Sequence, residues 1–222
     1  ALDKIQEVLE NYGVDIHFIT GGTLTNLTFL SHALRPYEAV ISADTGHINT
    51  HETGAIEASG HKVLSIPCTD GKLTADLIRP VLKQHENEHW VEPRLVYISL
   101  PTELGTVYTK EELEKLYQFC KRHNLYLYID GARLAMALAV EETQLTLKDL
   151  PDLCDAFYIG GTKNGAMFGE ALVLVNDDLK DHFRFNMKQR GAILAKGWMI
   201  GVQFEELFQD NLYLELGKRS VA

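Results

Sequence analysis

The 222-residue chain has a formal net charge of −10, with 45% hydrophobic and 23% charged residues. That composition is ordinary for a globular protein, and the acidic balance argues against nucleic acid or an anionic membrane as the main partner. Cys68, Cys120 and Cys154 are odd in number and lack C-x-x-C spacing, so a disulfide framework is not expected and a reducing, cytoplasmic setting is.

No apolar run approaches membrane-spanning length, and no signal-peptide pattern opens the sequence. The chain begins without Met inside a helical pattern (Leu2, Ile5, Val8, Leu9) and stops after another helix-like stretch. The expectation is a piece of a longer protein, or one whose ends are disordered. From there, short apolar runs alternate with helical patterns. Strands are predicted over 15–20, 39–42, 62–66, 95–100, 125–129, 156–159 and 171–175. Helices are predicted over 24–34, 48–59, 75–85, 110–123 and 133–140, followed after the last strand by 177–189 and 197–209. Thr109 with Glu112 forms a capping box, and Thr74 precedes the apolar pattern Leu77, Ile78, Val81, Leu82. Leu/Glu/Lys-rich helices between Val/Ile/Tyr-rich strands predict an α/β fold, a three-layer sandwich around a mostly parallel seven-stranded sheet. Residues 160–170 are too few for a helical crossover, so the last strand pair is expected to be antiparallel. No repeat or linker divides the chain.

In an open α/β sheet, ligands bind outside the carboxyl ends of the strands. Five polar or glycine-rich clusters fall there: Gly21-Gly22-Thr23, residues 44–51, residues 101–106, residues 130–133 and residues 160–164. The first can present unpaired helix N–H groups to an anion, or it can be only a tight turn with Thr23 as N-cap. Asp130, at the end of the apolar run Leu125-Tyr126-Leu127-Tyr128-Ile129, needs a cation if it is buried. A protonated pyridine nitrogen would serve, leaving Arg133 for a substrate carboxylate. An Asp130–Arg133 pair capping the next helix is the plainer alternative. Lys163, among glycines at a strand end, can reach a cleft where partial desolvation frees its amine for imine formation, or it can belong to an exposed loop. His47 and His51 would share one helix face with Glu52 beside them. A zinc site there would need a third ligand and does not match H-E-x-x-H, so no metal is expected. A flat ring stacked on a flat cofactor is the better use of His47. Thr102 and Glu103 come near the same rim.

The order of these clusters resembles the large domain of fold-type I pyridoxal-phosphate enzymes, and more narrowly the threonine aldolase group of β-eliminating lyases. It is carried by Asp130-Gly131-Ala132-Arg133-Leu134 and Thr162-Lys163-Asn164-Gly165, with Ala43-Asp44-Thr45-Gly46-His47 in support. The resemblance spans about residues 15–196 and implies an aspartate-aminotransferase-like fold with pyridoxal 5'-phosphate as cofactor. It implies that Lys163 carries the cofactor as a Schiff base, that Asp130 pairs with the pyridine nitrogen and that His47 stacks on the ring. Gly22 and Thr23, with Thr162, would hold the phosphate, and Arg133 would receive the substrate carboxylate. The implied reaction is cleavage of L-threonine or a related β-hydroxy amino acid to glycine and an aldehyde. An aminotransferase, a β-eliminating lyase or a non-catalytic cofactor-binding fragment are the alternatives. A nucleotide-binding domain lacks both G-x-G-x-x-G and the P-loop pattern.

The sequence departs from the family in the loop after the fourth strand. Where a histidine is usual, the best-matching position holds Glu103, leaving Glu103 or His47 as base, or a different preferred substrate. The family's N-terminal segment and C-terminal small domain, with its second arginine, are not matched. The expected organisation is therefore a cofactor-binding large domain over 1–196 and a helix over 197–222 leading toward a small domain. Lys188, Arg190 and Lys196 fall where a phosphate contact could arise, without a residue-by-residue match. A homodimer or homotetramer is implied, since related enzymes build each active site at a dimer interface.

Overall fold

The computed structural model describes residues 1–222. In chain order the elements are α1 (Leu2–Val8), β1 (Asp15–Ile19), α2 (Gly22–Ala33), β2 (Glu38–Ala43), α3 (His47–Thr50), α4 (Ala55–Ala58) and β3 (Val63–Ile66). Then come α5 (Ala75–Gln84), β4 (Glu92–Ser99), α6 (Lys110–Arg122), β5 (Tyr126–Asp130), α7 (Leu134–Leu138), β6 (Ala156–Gly160) and β7 (Glu170–Leu174). The last helices are α8 (Phe183–Gln189), α9 (Trp198–Leu207) and α10 (Leu212–Val221).

All seven strands join one sheet in the order β1-β7-β6-β5-β4-β2-β3. Strands β3, β2, β4, β5 and β6 pair in parallel, whereas β7 is antiparallel to both β6 and β1. Two reversals cancel, so β1 runs in the same direction as β6. The carboxyl ends of β1 to β6 therefore share one rim, joined there by the amino end of β7.

Successive side chains on a strand point to opposite faces, and here both faces are covered. Leu127 and Ile129 of β5 belong to one core cluster and Tyr128 to the other; Phe157 and Ile159 of β6 are likewise separated from Ala156 and Tyr158. This is the expected three-layer arrangement. The capping box is present, with Thr109 Oγ accepting from Glu112 N–H and the Glu112 carboxylate accepting from Thr109 N–H. Thr74 caps α5 in the same manner, accepting from Leu77 N–H. The connection from β4 passes through a cis Leu100–Pro101 bond.

Three sequence-based helices differ in extent. The helix expected over 48–59 divides into α3 and α4, because Thr53 and Gly54 take left-handed φ values of 52° and 69°. The one expected over 177–189 divides at His182, with φ 57°, into a short 3-10 turn and α8. Residues 197–222 hold two helices, with α9 packed against α1 and β1 and α10 against α7.

Candidate active site

Local backbone chemistry brings β5 and β6 together at the rim. Gly160 N–H donates to the Gly131 carbonyl at 3.0 Å. A Cβ on Gly131 would run into the Tyr158 carbonyl oxygen, and one on Gly160 into that of Ala132. Only glycine permits this approach. It sets the turn carrying Asp130 directly beside the loop carrying Thr162 and Lys163.

Asp130 is only 3% exposed. Its Oδ1 accepts from Ala132 N–H at 3.0 Å, and its Oδ2 accepts from the Tyr97 hydroxyl at 2.6 Å and the Asn26 amide at 3.0 Å. The carboxylate thus caps its own turn, in keeping with the plainer alternative, but it does not pair with Arg133. Arg133 is exposed at the N-cap of α7. A buried carboxylate with three neutral donors and no Lys or Arg bonded to it is a costly arrangement for a protein to keep.

Asn26 explains how the site is organised. It is fully buried on α2, and its amide donates to Glu52 Oε1 at 2.7 Å as well as to Asp130, while its Oδ1 accepts from the Tyr128 hydroxyl at 3.0 Å. Glu52 Oε1 also lies 2.7 Å from His47 Nδ1. The Glu52 bond holds His47 above the ordinary histidine range, against the opposing effect of burial, with the charges of Asp130 and Glu103 adding to the rise. The His47 and His51 rings stack at 5.4 Å between centroids. His47, Glu52 and Asp130 offer ligand atoms within 4.8 Å of one another. However, the Asn26 amide already donates to both carboxylates, so a cation would have to face N–H donors.

At the end of β1, α2 begins at Gly22 with Gly21 as N-cap. This corrects the reading of Thr23 as N-cap: Thr23 lies within the first turn and is exposed. The first-turn N–H groups have no intrahelical acceptor. A Cβ at Gly21 would meet nothing within 4 Å, whereas one at Gly22 would come within 3.1 Å of the Tyr158 hydroxyl. The α8 helix follows α2 in the opposite direction. Phe183 meets His32 at 5.0 Å and Asn186 donates to the Thr28 carbonyl at 2.7 Å. Arg190, at the C-cap of α8, has its Nε buried without a partner.

Thr162 Oγ1 accepts from Gly169 N–H at 3.0 Å, closing the Lys163 loop on the start of β7. Lys163 itself is exposed, so the partial desolvation expected of it is not provided by this span of chain. Glu103 is half-buried at the rim beside Thr102, Tyr97 and Gly46. All the clusters expected at the rim are there. Asn26, Tyr97, Tyr128 and Glu170 are additions that sequence reasoning missed. Tyr128 had a signal, since it lies two residues before Asp130, although Asp130 itself bonds to Tyr97 on the neighbouring strand. Asn26 lies among the threonines Thr23, Thr25 and Thr28, so nothing in the local pattern singled it out.

A sequence model of the β-eliminating lyase family matches residues 3–211. The chain belongs to the β-eliminating lyase family. Among curated relatives of this lyase chain is a low specificity L-threonine aldolase of Pseudomonas aeruginosa, 34% identical over 220 residues, covering 96% of the chain and 62% of the relative. One from Saccharomyces cerevisiae is 30% identical over 188 residues, covering 82% and 48%. The lyase chain thus spans less than two thirds of the curated relatives it matches. A solved structure of Leishmania major threonine aldolase superposes with a TM-score of 0.96 at 58% identity, covering 98% of this chain and 64% of that one. Aspartate aminotransferase of Thermus thermophilus superposes with a TM-score of 0.70 at 14% identity, over 92% and 53% of the two chains. That likeness shows the aspartate-aminotransferase-like fold.

Proposed function

We propose that this chain is the cofactor-binding part of a pyridoxal-phosphate-dependent aldehyde lyase that cleaves L-threonine or a related β-hydroxy amino acid to glycine and an aldehyde. The observation that carries the reading is the Asp130 carboxylate, 3% exposed and with no Lys or Arg bonded to it, on the strand next to the one leading to Lys163. Asp130 would pair there with a protonated pyridine nitrogen, which would supply the cation that no Lys or Arg provides. The residues present fit the rest of the cofactor: Gly21 and Gly22 open α2, whose first-turn N–H groups have no intrahelical acceptor, and Arg190 has a buried Nε without a partner. Bound there, pyridoxal phosphate supplies an electron sink for the pair released when a bond to Cα breaks.

The side chains then divide the work. Lys163 holds the cofactor aldehyde, Asp130 keeps the ring nitrogen protonated, and His47 offers a flat ring face. Gly22, Thr23, Thr162 and Arg190 hold the phosphate. Arg133 orients the substrate carboxylate, and His47 or Glu103 takes the proton of the β-hydroxyl. Residues 1–196 form the cofactor-binding large domain in this reading, with 197–222 leading toward a small domain. The protein is a cytoplasmic homodimer or homotetramer. No helix is long and apolar enough to cross a membrane, and the three cysteines are free.

The exposure of Lys163 and Arg133 favours a second reading, in which this span binds the cofactor without closing around a substrate. The test has two parts. Borohydride treatment after addition of pyridoxal phosphate is expected to fix an adduct on Lys163, mapped by mass spectrometry, and Lys163→Ala to abolish it. An adduct retained in the variant sinks the assignment. Glycine and aldehyde release from L-threonine, assayed in this chain and in a longer chain spanning the relatives' full length, separates the two readings.

A further inference from the structure

Glu52 stands in an unusual place for a carboxylate. Its neighbours His51, Thr53 and Gly54 are exposed, yet the Glu52 side chain is 0% exposed. The left-handed turn at Thr53 and Gly54 directs the chain so that this one residue points inward. Both of its hydrogen bonds go to Oε1, from Asn26 and His47, and Oε2 is buried without a partner. An apolar residue would fill such a position at lower cost, because an unpaired buried polar atom is expensive. The network also orients every member. Asn26 donates one amide hydrogen to each carboxylate, so its Oδ1 is left to accept from Tyr128, and no flipped amide satisfies all three partners.

We propose that Glu52 is a positioning residue for His47: it accepts a hydrogen bond from Nδ1–H, leaves Nε2 as the lone-pair nitrogen facing the site, and shares Asn26 with Asp130. The inference deepens the lyase reading and rests on it for the identity of the proton donor. In that reaction the proton passes from the substrate β-hydroxyl to His47 Nε2, and Glu52 balances the resulting imidazolium without taking the proton, as an orienting carboxylate does for a histidine base. The groups that set the His47 titration are Glu52, Asp130 and Glu103. His51 stacks against it, and Tyr97 and Tyr128 complete the hydrogen bonds around Asp130 and Asn26. Raised by Glu52, His47 is neutral and able to accept a proton only above its elevated pKa, so the acid limb of turnover follows this pair.

The decisive measurement is nitrogen-detected NMR of His47 in the chain with pyridoxal phosphate added, as a function of pH. The wild type is expected to show the Nδ1–H tautomer above its pKa; a dominant Nε2–H tautomer overturns the proposal without any variant. Glu52→Gln is expected to lower the His47 pKa by about one unit or more, since an adjacent opposite charge is lost. It is expected to keep the borohydride-fixed adduct on Lys163. In a full-length protein the same variant should lower kcat about tenfold to a hundredfold, change KM little and move the acid limb to lower pH. A folded Glu52→Gln protein with unchanged His47 titration and tautomer assigns Glu52 a merely structural role. Absence of a Lys163 adduct in the wild type would instead refute the lyase reading, because the His47 measurement does not depend on turnover.

Discussion

Glu170 opens β7 between Ile19 of β1 and Gly160 of β6, and its carboxylate accepts from Gly161 N–H at 2.8 Å. It is 4% exposed, and burial pushes its carboxyl up to about 7, partly offset by hydrogen bonds from Thr162 and Gly161. Because the folded-state value lies above the ordinary 4.5, the native state binds the proton more tightly than the unfolded chain. The stabilisation from this group is complete below about pH 4.5 and is lost as pH rises through about 7. Glu170→Gln keeps an acceptor for Gly161 and removes the ionisation. Its expected effect is a flatter stability profile between about pH 5 and 8, with a gain of order 3 kcal/mol at the alkaline end. Thermal melts of both proteins across that range test this; parallel profiles would show that Glu170 ionises freely.

Elements differ in what a small change does to them. The Thr109 box bonds only within the start of α6 and to none of the groups around Asp130, so Thr109→Ala is expected to cost about 1 kcal/mol and leave the Lys163 adduct intact. Gly131 joins β5 to α7 where a Cβ would meet the Tyr158 carbonyl. Gly131→Ala is therefore expected to cost about 1–3 kcal/mol or more and to weaken the adduct as well, since it separates the two strands that set Asp130 beside the Lys163 loop. Urea denaturation with adduct yield on both variants tests the contrast. Equal adduct yield would mean that this close approach serves stability alone.

At the scale of the whole molecule, apolar surface collects near the site. Trp198 and Val202, spaced one turn apart on α9, are 67% and 59% exposed, and Met167 is 87% exposed. The Met167 N–H donates to Gln203 on the same helix at 2.7 Å, so the three belong to one region bordering the Lys163 loop. Large exposed apolar groups in one region mark interaction surfaces. The homo-oligomer proposed above is expected to appear as a dimer or tetramer in sedimentation at micromolar concentration, weakened by Trp198→Glu. A monomer throughout would separate this surface from self-association.

Much of this protein was readable in its sequence because the relevant forces are local. Alternating apolar runs, caps such as Thr109 and Thr74, and glycines at strand ends specify elements through hydrogen bonding and sterics over a few residues, so the seven strands and the rim clusters around Lys163, Asp130 and His47 could be read in order. The division of residues 48–59 was less visible, since Thr53 takes a left-handed conformation that its identity does not announce. What only the tertiary structure decided is which distant polar groups meet. Asn26 joins Glu52 and Asp130 across separations of 26 and 104 residues, and Tyr97 reaches Asp130 from the neighbouring strand. Pairings of that kind depend on sheet order and register, through which burial forces each polar atom to find its partner in space rather than along the chain.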